Sequence, residues 1–453
     1  MPNIDLDADS IAESKNFCAY PFLQLSSVPA GLWRPCCFYL EGLAGADGAK
    51  LDVKKDSLKD IWNSEGLKKI RSDMLNDKPL QGCIQCHREE KLGTVSMRQR
   101  SLKDWVGTKD LKTAVTQAQE NSGFVQQGPV YLELKPGNLC NLKCRMCNQF
   151  DSIMVAQELK ELAKKFKDRL GSDYDPSTSP RLFEENNFEF SFDVESMPDW
   201  TQLANFWNEV DSFIPNLKVL SLAGGEPTLI PQVESLLQRC VEMGYSKNIT
   251  VYLSSNFTKI NSNLLKLSRE FKMFEFIASI DGTEKVYELI RFPGKWNIVE
   301  SNFRKVQAQI IPGRLKLLVN LTVQIYNILT FTNILRWMES VEAEQVEFYQ
   351  HPFNLNILYY PHYLRPELLP LALRGTAISR IRSYMLESVF VKRHPELGER
   401  LEQLIKMLSN ELPEDYNSAI GKFKAYNSML DEHRGQSLKD VEPDLYKEIY
   451  GNV

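Results

Sequence analysis

Three cysteines stand close together, directly after a segment that is expected to form a strand. Cys140, Cys144 and Cys147 have the spacing C-x3-C-x2-C, and residues 130–134 before them have the alternation and composition of a strand. A Pro-Gly pair at 136–137 breaks that pattern and predicts a loop. The cysteines are therefore expected at the carboxyl end of a strand, where parallel α/β folds bind their ligands.

This spacing favours a metal centre. Three neighbouring thiolates leave a four-iron cluster with one iron open to an outside ligand, as in a catalytic metal site. A zinc ion with a distant fourth ligand, or three ordinary thiols, are the alternatives. The chain has nine cysteines in all, and an odd number in a reducing compartment argues against a disulfide framework.

The composition excludes several classes of protein. The 453 residues predict about three domains or sub-domains, and 43% hydrophobic with 25% charged residues is the mix of a folded chain. A net charge of -5 argues against a nucleic-acid partner. No apolar run reaches the roughly 18 residues of a membrane span, and the acidic N-terminus does not resemble a signal peptide. We expect a cytoplasmic protein with no membrane and no nucleic-acid partner.

A second motif, Ala-Gly-Gly-Glu-Pro, follows a strand-like segment at 217–222. Gly224 and Gly225 let the backbone approach a ligand without a Cβ in the way. The Glu226 carboxylate, at the strand end, accepts hydrogen bonds from a ligand ammonium group. Alone, this segment is equally consistent with a simple turn, but the cysteine motif upstream makes it far more specific.

Together the two motifs resemble the radical S-adenosylmethionine (radical SAM) superfamily over residues 128–350. In that family three cysteines hold a [4Fe-4S] cluster, and S-adenosylmethionine chelates the open iron. An electron from the cluster cleaves the sulfonium and releases a 5′-deoxyadenosyl radical, which takes a hydrogen atom from a substrate.

The resemblance also assigns residues. It implies that the cluster ligands are Cys140, Cys144 and Cys147, and that the methionine ammonium group is met by Gly224, Gly225 and Glu226. Met146 stands where the family usually has an aromatic residue, and its thioether still provides a polarisable apolar contact.

Strand-like and helix-like segments alternate along the rest of this region. Further strands are predicted at 248–253, 273–278, 315–323 and 346–349, and helical patterns at 231–243, 261–271, 284–308 and 328–341. This alternation predicts an α/β fold with a parallel sheet. Six such units suit the partial (β/α)6 TIM-like barrel of the radical SAM family.

Short polar residues end several of these strands. Each is an ordinary turn residue by itself, but as a set on one rim they predict a grip on a nucleoside and an amino acid: Ser254, Asn256, Ser279 and Asp281. Arg291 resembles the downstream arginine that lies near the methionine carboxylate in radical SAM enzymes that modify peptides. A surface charge on a helix is the alternative for Arg291.

A second group of cysteines lies near the N-terminus. Four thiolates are enough for a closed site that stabilises a small domain or holds a second cluster. The spacing from Cys18 through Gly31 to Cys36 resembles the SPASM and twitch auxiliary-cluster domains, although these usually follow the barrel. It implies a second [4Fe-4S] cluster, or alternatively zinc, on Cys18, Cys36, Cys83 and Cys86.

Three neighbouring or leftover side chains stay outside that set. The glycine spacing favours Cys36 over Cys37 as the ligand, although the sequence leaves that choice open. His87 is an alternative ligand but is expected to be a polar neighbour, and Cys240 is expected to pack in a helix.

The predicted domains follow from these motifs. They are a twitch/SPASM-like auxiliary domain at 1–100, a linker at 101–127, a radical SAM core at 128–350 with an acidic insertion at 172–199, and a helical C-terminal extension at 351–453.

The implied function is a radical SAM oxidoreductase or transferase. Its expected partners are a peptide or small-molecule substrate and an external one-electron donor such as a flavodoxin or ferredoxin. The alternatives are a radical SAM enzyme for a sugar or nucleoside-derived metabolite with a structural zinc in the N-terminal domain, and a cluster-binding scaffold without turnover. The sequence indicates no catalytic residue beyond the cofactor contacts.

Overall fold

The computed structural model of the chain describes residues 14–91, 95–170, 200–343 and 353–451. They form two compact units. The first contains the described residues of Met1–Leu139, Phe190–Ser254 and Asn261–Glu275, and the second those of Cys140–Glu189, Ser255–Ile260 and Phe276–Val453. The acidic insertion predicted at 172–199 and the strand predicted at 346–349 lie outside the described residues.

Eight strands lie in the described residues. They are β1 (Gln24–Ser27), β2 (Trp33–Arg34), β3 (Tyr131–Leu134), β4 (Val219–Leu222), β5 (Thr250–Ser255), β6 (Met273–Ser279), β7 (Leu315–Val323) and β8 (Phe353–Ile357). β7 coincides with the strand predicted from the sequence, and β3 to β6 lie close to their predicted positions.

Six α-helices precede β3 in the described part of the chain. They are α1 (Tyr20–Leu23), α2 (Leu58–Trp62), α3 (Glu65–Leu75), α4 (Ile84–Lys91), α5 (Met97–Trp105) and α6 (Lys109–Glu120). Serine side chains cap the first turn of three of these helices. Ser57 accepts a hydrogen bond from the Asp60 amide, Ser64 one from the Leu67 amide and Ser96 one from the Gln99 amide.

The helices after β3 alternate with strands and then continue alone. Those up to β8 are α7 (Ile153–Leu170), α8 (Ala204–Phe213), α9 (Pro231–Glu242), α10 (Ser262–Ser268), α11 (Glu284–Ile290), α12 (Trp296–Gln307) and α13 (Phe331–Ala343). Those after β8 are α14 (Leu371–Glu387), α15 (Val389–Arg393), α16 (Pro395–Ser409), α17 (Tyr416–Arg434), α18 (Leu438–Val441) and α19 (Pro443–Tyr450).

Parallel pairing organises the first unit. β1 pairs with β3, β3 with β4, and β4 with β5, all in parallel, and β2 pairs antiparallel with β1. One row across the strands is apolar and buried, with Leu25, Leu132, Leu220 and Val251 in register. The adjacent row is polar and lies on the opposite face, because side chains alternate along a strand: Ser26, Glu133, Ser221 and Tyr252.

The N-terminal cysteine-rich segment is joined to this sheet through β1. Gln24 is in register with Tyr131, and the Val130 amide donates to the Leu23 carbonyl at 2.9 Å. Although this segment precedes the predicted core in the chain, its own strand extends the sheet next to β3.

The second unit contains a parallel pair and many helices. β7 pairs with β8, with Leu321 opposite Leu355, and the Ile280 amide after β6 donates to the Asn320 carbonyl of β7 at 3.1 Å. The predicted α/β class with parallel strands is confirmed. The C-terminal extension is helical from Leu371 onward, but β8 lies within the range 351–453 that was predicted to be helical, because this strand pairs with β7. Among the described residues, no helix combines the length and apolar character needed to cross a bilayer.

The helix predicted at 284–308 is wrong in one respect, because the chain breaks between α11 and α12. Pro293 has no backbone N–H to continue a helix, and the Gly294 amide donates to the Arg291 carbonyl at 2.8 Å in a turn. Arg291 therefore lies at the end of α11, where it is buried, rather than on an exposed helix face.

Candidate functional site

Four cysteines of the N-terminal segment line one small cavity in the first unit. The thiols of Cys18, Cys36, Cys83 and Cys86 share this cavity with apolar and aromatic side chains and with Arg98. A donor set of four thiols is the usual one for an iron–sulfur cluster or a structural zinc ion. The residues therefore fit either group.

Burial keeps these thiols protonated in the protein alone. It raises the pKa of Cys18 to about 11 and that of Cys83 to about 12, and the neighbouring thiols add to the rise. For Cys36, burial is again the main cause, followed by Cys37, Cys18 and Cys83. A bound cation reverses this effect, because thiolates are the ligands and metal binding releases their protons.

Cys36 and Cys37 have different surroundings. Cys36 lines the cavity, and Cys37 does not belong to its lining. Burial raises the pKa of Cys37, and the nearby Glu133 carboxylate raises it further through its charge and a hydrogen bond. The structure therefore separates the two residues, since Cys36 lies with Cys18, Cys83 and Cys86, and Cys37 lies near Glu133.

The two other side chains that the sequence analysis left outside the ligand set, His87 and Cys240, are also outside the cavity lining. His87 follows Cys86 in the chain but does not line the cavity. Cys240 lies on α9 and is fully buried, and this burial raises the pKa of its thiol to about 12.

Polar contacts hold the chain around this cavity. Arg98 forms a two-pronged ion pair with Glu90, with N–O distances of 2.9 and 2.8 Å, and donates to the Phe17 carbonyl at 3.1 Å. The Ser101 hydroxyl lies 3.3 Å from the Cys18 sulfur. Groups of this kind orient metal ligands.

The sequence analysis missed Glu133, which is buried on β3 next to Cys37. Its Oε2 accepts hydrogen bonds from the Gln24 side-chain Nε2 at 3.0 Å and the Ser26 hydroxyl at 2.9 Å. The available signal was a carboxylate between two leucines in an otherwise buried strand.

The second cysteine group lies in the second unit, on the loop after β3. Cys144 is buried, and Cys140 and Cys147 are half-buried. Burial raises the pKa of Cys147, and the charges of Asp151, Cys144 and Cys140 raise it further. In the part of the chain that the structure describes, no three Cys, His, Asp or Glu side chains are already placed as a finished metal site. The all-thiol donor set itself fits an iron–sulfur cluster.

Arg291 lies beside this loop and is paired with Asp281. Its Nε is 2.7 Å from Asp281 Oδ2, and its Nη1 is 3.8 Å from the Cys144 sulfur. Asp281 also accepts a hydrogen bond from the Thr322 amide at 2.8 Å. Burial lowers the pKa of Arg291, but Asp281, Cys144 and Tyr287 together raise it above its ordinary value, so the guanidinium stays charged next to the thiol.

Asn256 is tied to the same loop. Its Nδ2 donates to Asn141 Oδ1 at 2.9 Å and lies 3.9 Å from the Cys140 sulfur, and its Oδ1 accepts from the Thr258 amide. The second unit therefore brings Asn256, Asp281 and Arg291 into the surroundings of the cysteines. Two other predicted contacts in this unit, Met146 on the loop and Ser279 at the end of β6, are half-buried.

The predicted glycine-rich segment belongs to the first unit, as does the half-buried Ser254. The Glu226 amide donates to the Leu139 carbonyl at 2.7 Å, and Leu139 directly precedes Cys140 in the chain. The Glu226 carboxylate is buried and accepts hydrogen bonds from the Thr228 amide at 3.1 Å and hydroxyl at 2.6 Å.

The glycines of this segment are required by the packing of the chain against itself. Gly224 and Gly225 have φ angles of 76° and 54°. A Cβ on Gly224 would lie 2.6 Å from the Lys135 Cβ, and one on Gly225 would lie 2.6 Å from the Leu139 carbonyl oxygen. The sequence predicted that a ligand approaches these two glycines closely. In the structure, the loop that leads to the cysteines lies against them.

We expect Gly225→Ala to destabilise the protein by about 2 to 5 kcal/mol, because it combines a left-handed backbone with a clash against a carbonyl. Gly244→Ala is the matched control, since Gly244 has φ of 80° and nothing within 4 Å of an added Cβ. Its cost should be only about 1 to 2 kcal/mol. Denaturant unfolding of both variants measures the difference, and equal losses would contradict the packing argument.

Comparisons with known proteins agree with the N-terminal cavity. A family model for SPASM, an iron–sulfur cluster-binding domain, matches residues 18–87. This confirms the predicted SPASM-like cluster-binding domain for residues 18–87. A comparison with curated protein sequences gives no match.

The comparison with solved structures gives matches to three different proteins, among others. Native anSMEcpe with bound AdoMet and Cp18Cys peptide is 15% identical, with a TM-score of 0.30, over 41% of this chain and 52% of that one. SuiB of Streptococcus suis is 12% identical, with a TM-score of 0.33, over 82% and 74%. TYW1 with a lysine-pyruvate adduct is 18% identical, with a TM-score of 0.27, over 56% and 72%. The chain thus spans about half the length of the first of these.

The SPASM match defines the class of the N-terminal segment. Residues 18–87 belong to an iron–sulfur cluster-binding domain of the SPASM type.

Proposed function

We propose that the chain is a radical SAM enzyme whose [4Fe-4S] cluster is held by Cys140, Cys144 and Cys147. When bound, this cluster supplies the electron that cleaves S-adenosylmethionine to methionine and a 5′-deoxyadenosyl radical, which abstracts hydrogen from the substrate. The observation that carries the proposal is a single loop that holds all three cysteines, with the buried Arg291 guanidinium 3.8 Å from the Cys144 sulfur.

The residues around this loop have separate roles in the proposal. Arg291 places a positive charge beside the Cys144 sulfur and offsets part of the negative charge that thiolate ligands bring. Asn256 fixes the first part of the loop through Asn141. The proposed contacts to S-adenosylmethionine are Met146, Gly224, Gly225, Glu226, Ser254, Asn256, Ser279, Asp281 and Arg291.

The N-terminal cavity is the proposed site of an auxiliary [4Fe-4S] cluster with Cys18, Cys36, Cys83 and Cys86 as ligands. The shared cavity and the SPASM match support it. Such a cluster would take the electron left on the substrate, relay electrons from the donor, or position the substrate. A structural zinc ion on the same thiols is the alternative.

The proposed substrate is a peptide or a small metabolite, and the proposed electron donor is a flavodoxin or ferredoxin. The SPASM-type domain supports the peptide, since the resemblance is to peptide-modifying enzymes. A sugar or nucleoside-derived metabolite is the second candidate. Transfer of deuterium from labelled peptides or metabolites into 5′-deoxyadenosine would separate them.

Formation of 5′-deoxyadenosine tests the proposal. We expect the anaerobically reconstituted protein to release it from S-adenosylmethionine after reduction with dithionite, and to release none without reductant. The product is measured by liquid chromatography with mass detection. A protein that retains its iron but forms no 5′-deoxyadenosine under any reductant would instead be a scaffold.

A further inference from the structure

Arg145 stands between Cys144 and Cys147, and its side chain is completely buried in the second unit. A guanidinium carries five N–H donors, and each has an acceptor here. They are the Leu289 carbonyl at 3.0 Å, the Tyr326 hydroxyl at 3.3 Å, Asn427 Oδ1 at 2.6 Å, Asp431 Oδ1 at 2.5 Å and Gln436 Oε1 at 3.1 Å. The buried charge is therefore fully compensated, which makes its position hard to change.

Most of these acceptors come from one part of the C-terminal extension. Asn427 and Asp431 lie on α17, and Gln436 follows that helix closely. Tyr426 of α17 also donates its hydroxyl hydrogen to the Arg145 carbonyl at 2.7 Å. Both the side chain and the backbone of Arg145 are thus bound to the same helix.

A second connection reaches the residue on the other side of Cys144. Glu158 on α7 is paired with Arg434 of α17, with N–O distances of 2.9 and 2.5 Å, and with Lys143 at 3.4 Å. The side chains of Glu158 and Arg434 are each 1% exposed, so salt screens this pair little. Both sequence neighbours of Cys144 therefore belong to networks that end on α17.

The cysteine loop has little structure of its own. The structure describes all of residues 135–152 between β3 and α7, and they form no helix or strand. Its main backbone contacts run from the Lys143 amide to the Phe292 carbonyl at 2.6 Å and from the Arg145 amide to the Ile290 carbonyl at 2.8 Å. The directions of the thiols therefore depend on contacts with other elements.

We propose that α17 is part of the cluster site, and that Arg145 is the positioning residue through which it holds Cys144 and Cys147. The inference rests on the cluster proposed for Cys140, Cys144 and Cys147. It assigns a role to the C-terminal extension, whose sequence carries no chemical motif: the extension keeps the loop in the geometry that retains the cluster.

Arg145→Lys tests this role, because lysine keeps the charge but loses the planar set of five donors. Arg374→Lys is the matched control, since Arg374 on α14 is also buried and donates to the carbonyls of Leu369, Leu408 and Asn410. Both reconstituted variants are compared with the wild type in thermal unfolding. The same samples give the rate of iron loss to a chelator and the paramagnetic resonance signal that responds to S-adenosylmethionine.

We expect both variants to lose thermal stability, but only Arg145→Lys to lose iron about 10- to 100-fold faster and to weaken the S-adenosylmethionine-sensitive signal. Equal iron loss in both variants would overturn the proposal. If Arg145→Lys does not fold, Tyr426→Phe takes its place in the experiment. This substitution removes one hydrogen bond and leaves no buried charge without a partner. If Tyr426→Phe then lost iron at the same rate as the wild type, the proposal would be overturned. Failure of the proposed function is distinguishable, because the wild type would then hold no iron on the loop cysteines.

Discussion

Replacement of Cys140, Cys144 and Cys147 together by alanine is expected to lower the iron content from about eight to about four atoms per chain. It should also abolish 5′-deoxyadenosine formation. The three cysteines lie on one loop in the second unit, whereas the four N-terminal cysteines line a cavity in the first unit. Removal of one set should therefore leave the other set loaded. Iron and sulfide are counted after anaerobic reconstitution, and the nucleoside is measured after reduction.

The reciprocal control is alanine at Cys18, Cys83 and Cys86. It should also retain about four irons, but it should still cleave S-adenosylmethionine, because the loop cysteines are intact. About four irons in the wild type, falling to none in the loop variant, with zinc present, would make the N-terminal site structural. No iron in any of the proteins after careful reconstitution would sink the radical mechanism.

The regular elements were predictable because their periodicity is local. β7 is predicted over its full length, since Leu315–Val323 is a long apolar strand, mostly buried in the structure. The break between α11 and α12 was missed because the helical pattern continues across it, although Pro293 was the local signal. The strand at Phe353–Ile357 follows the predicted one at 346–349, which lies outside the described residues.

The partners of the site residues depend on contacts that no local pattern contains. Arg145 and Asp431 are far apart in the sequence, and only the fold brings α17 to the cysteine loop. Asp281 and Arg291 were both recognised as candidates from their positions, but their ion pair was not predicted, because the turn after α11 sets the direction of Arg291. The cysteine spacings, in contrast, carry their own chemistry and needed no fold to be recognised.

The adjacent pair Cys36 and Cys37 offers the sharpest test of the N-terminal site. Cys36→Ala should remove the auxiliary cluster, about four irons per chain, because its thiol lines the cavity with Cys18, Cys83 and Cys86. Cys37→Ala should leave the iron content unchanged, because the Cys37 thiol interacts with Glu133 instead. The two variants differ by one position in the chain and remove the same chemical group.

The comparison is therefore independent of general damage to the protein. Adjacent residues of an irregular segment direct their side chains differently. Loss of iron in only one of the two variants would therefore identify which cysteine is the ligand. Iron, sulfide and zinc analysis of both variants, with thermal unfolding as the measure of folding, gives the answer. Loss of iron in Cys37→Ala but not in Cys36→Ala would show that Cys37 is the ligand and that this segment changes conformation when the cluster binds. Equal iron content in both variants and the wild type would place the auxiliary cluster elsewhere. Loss of zinc instead of iron in Cys36→Ala would establish a structural zinc ion at this site instead of a cluster.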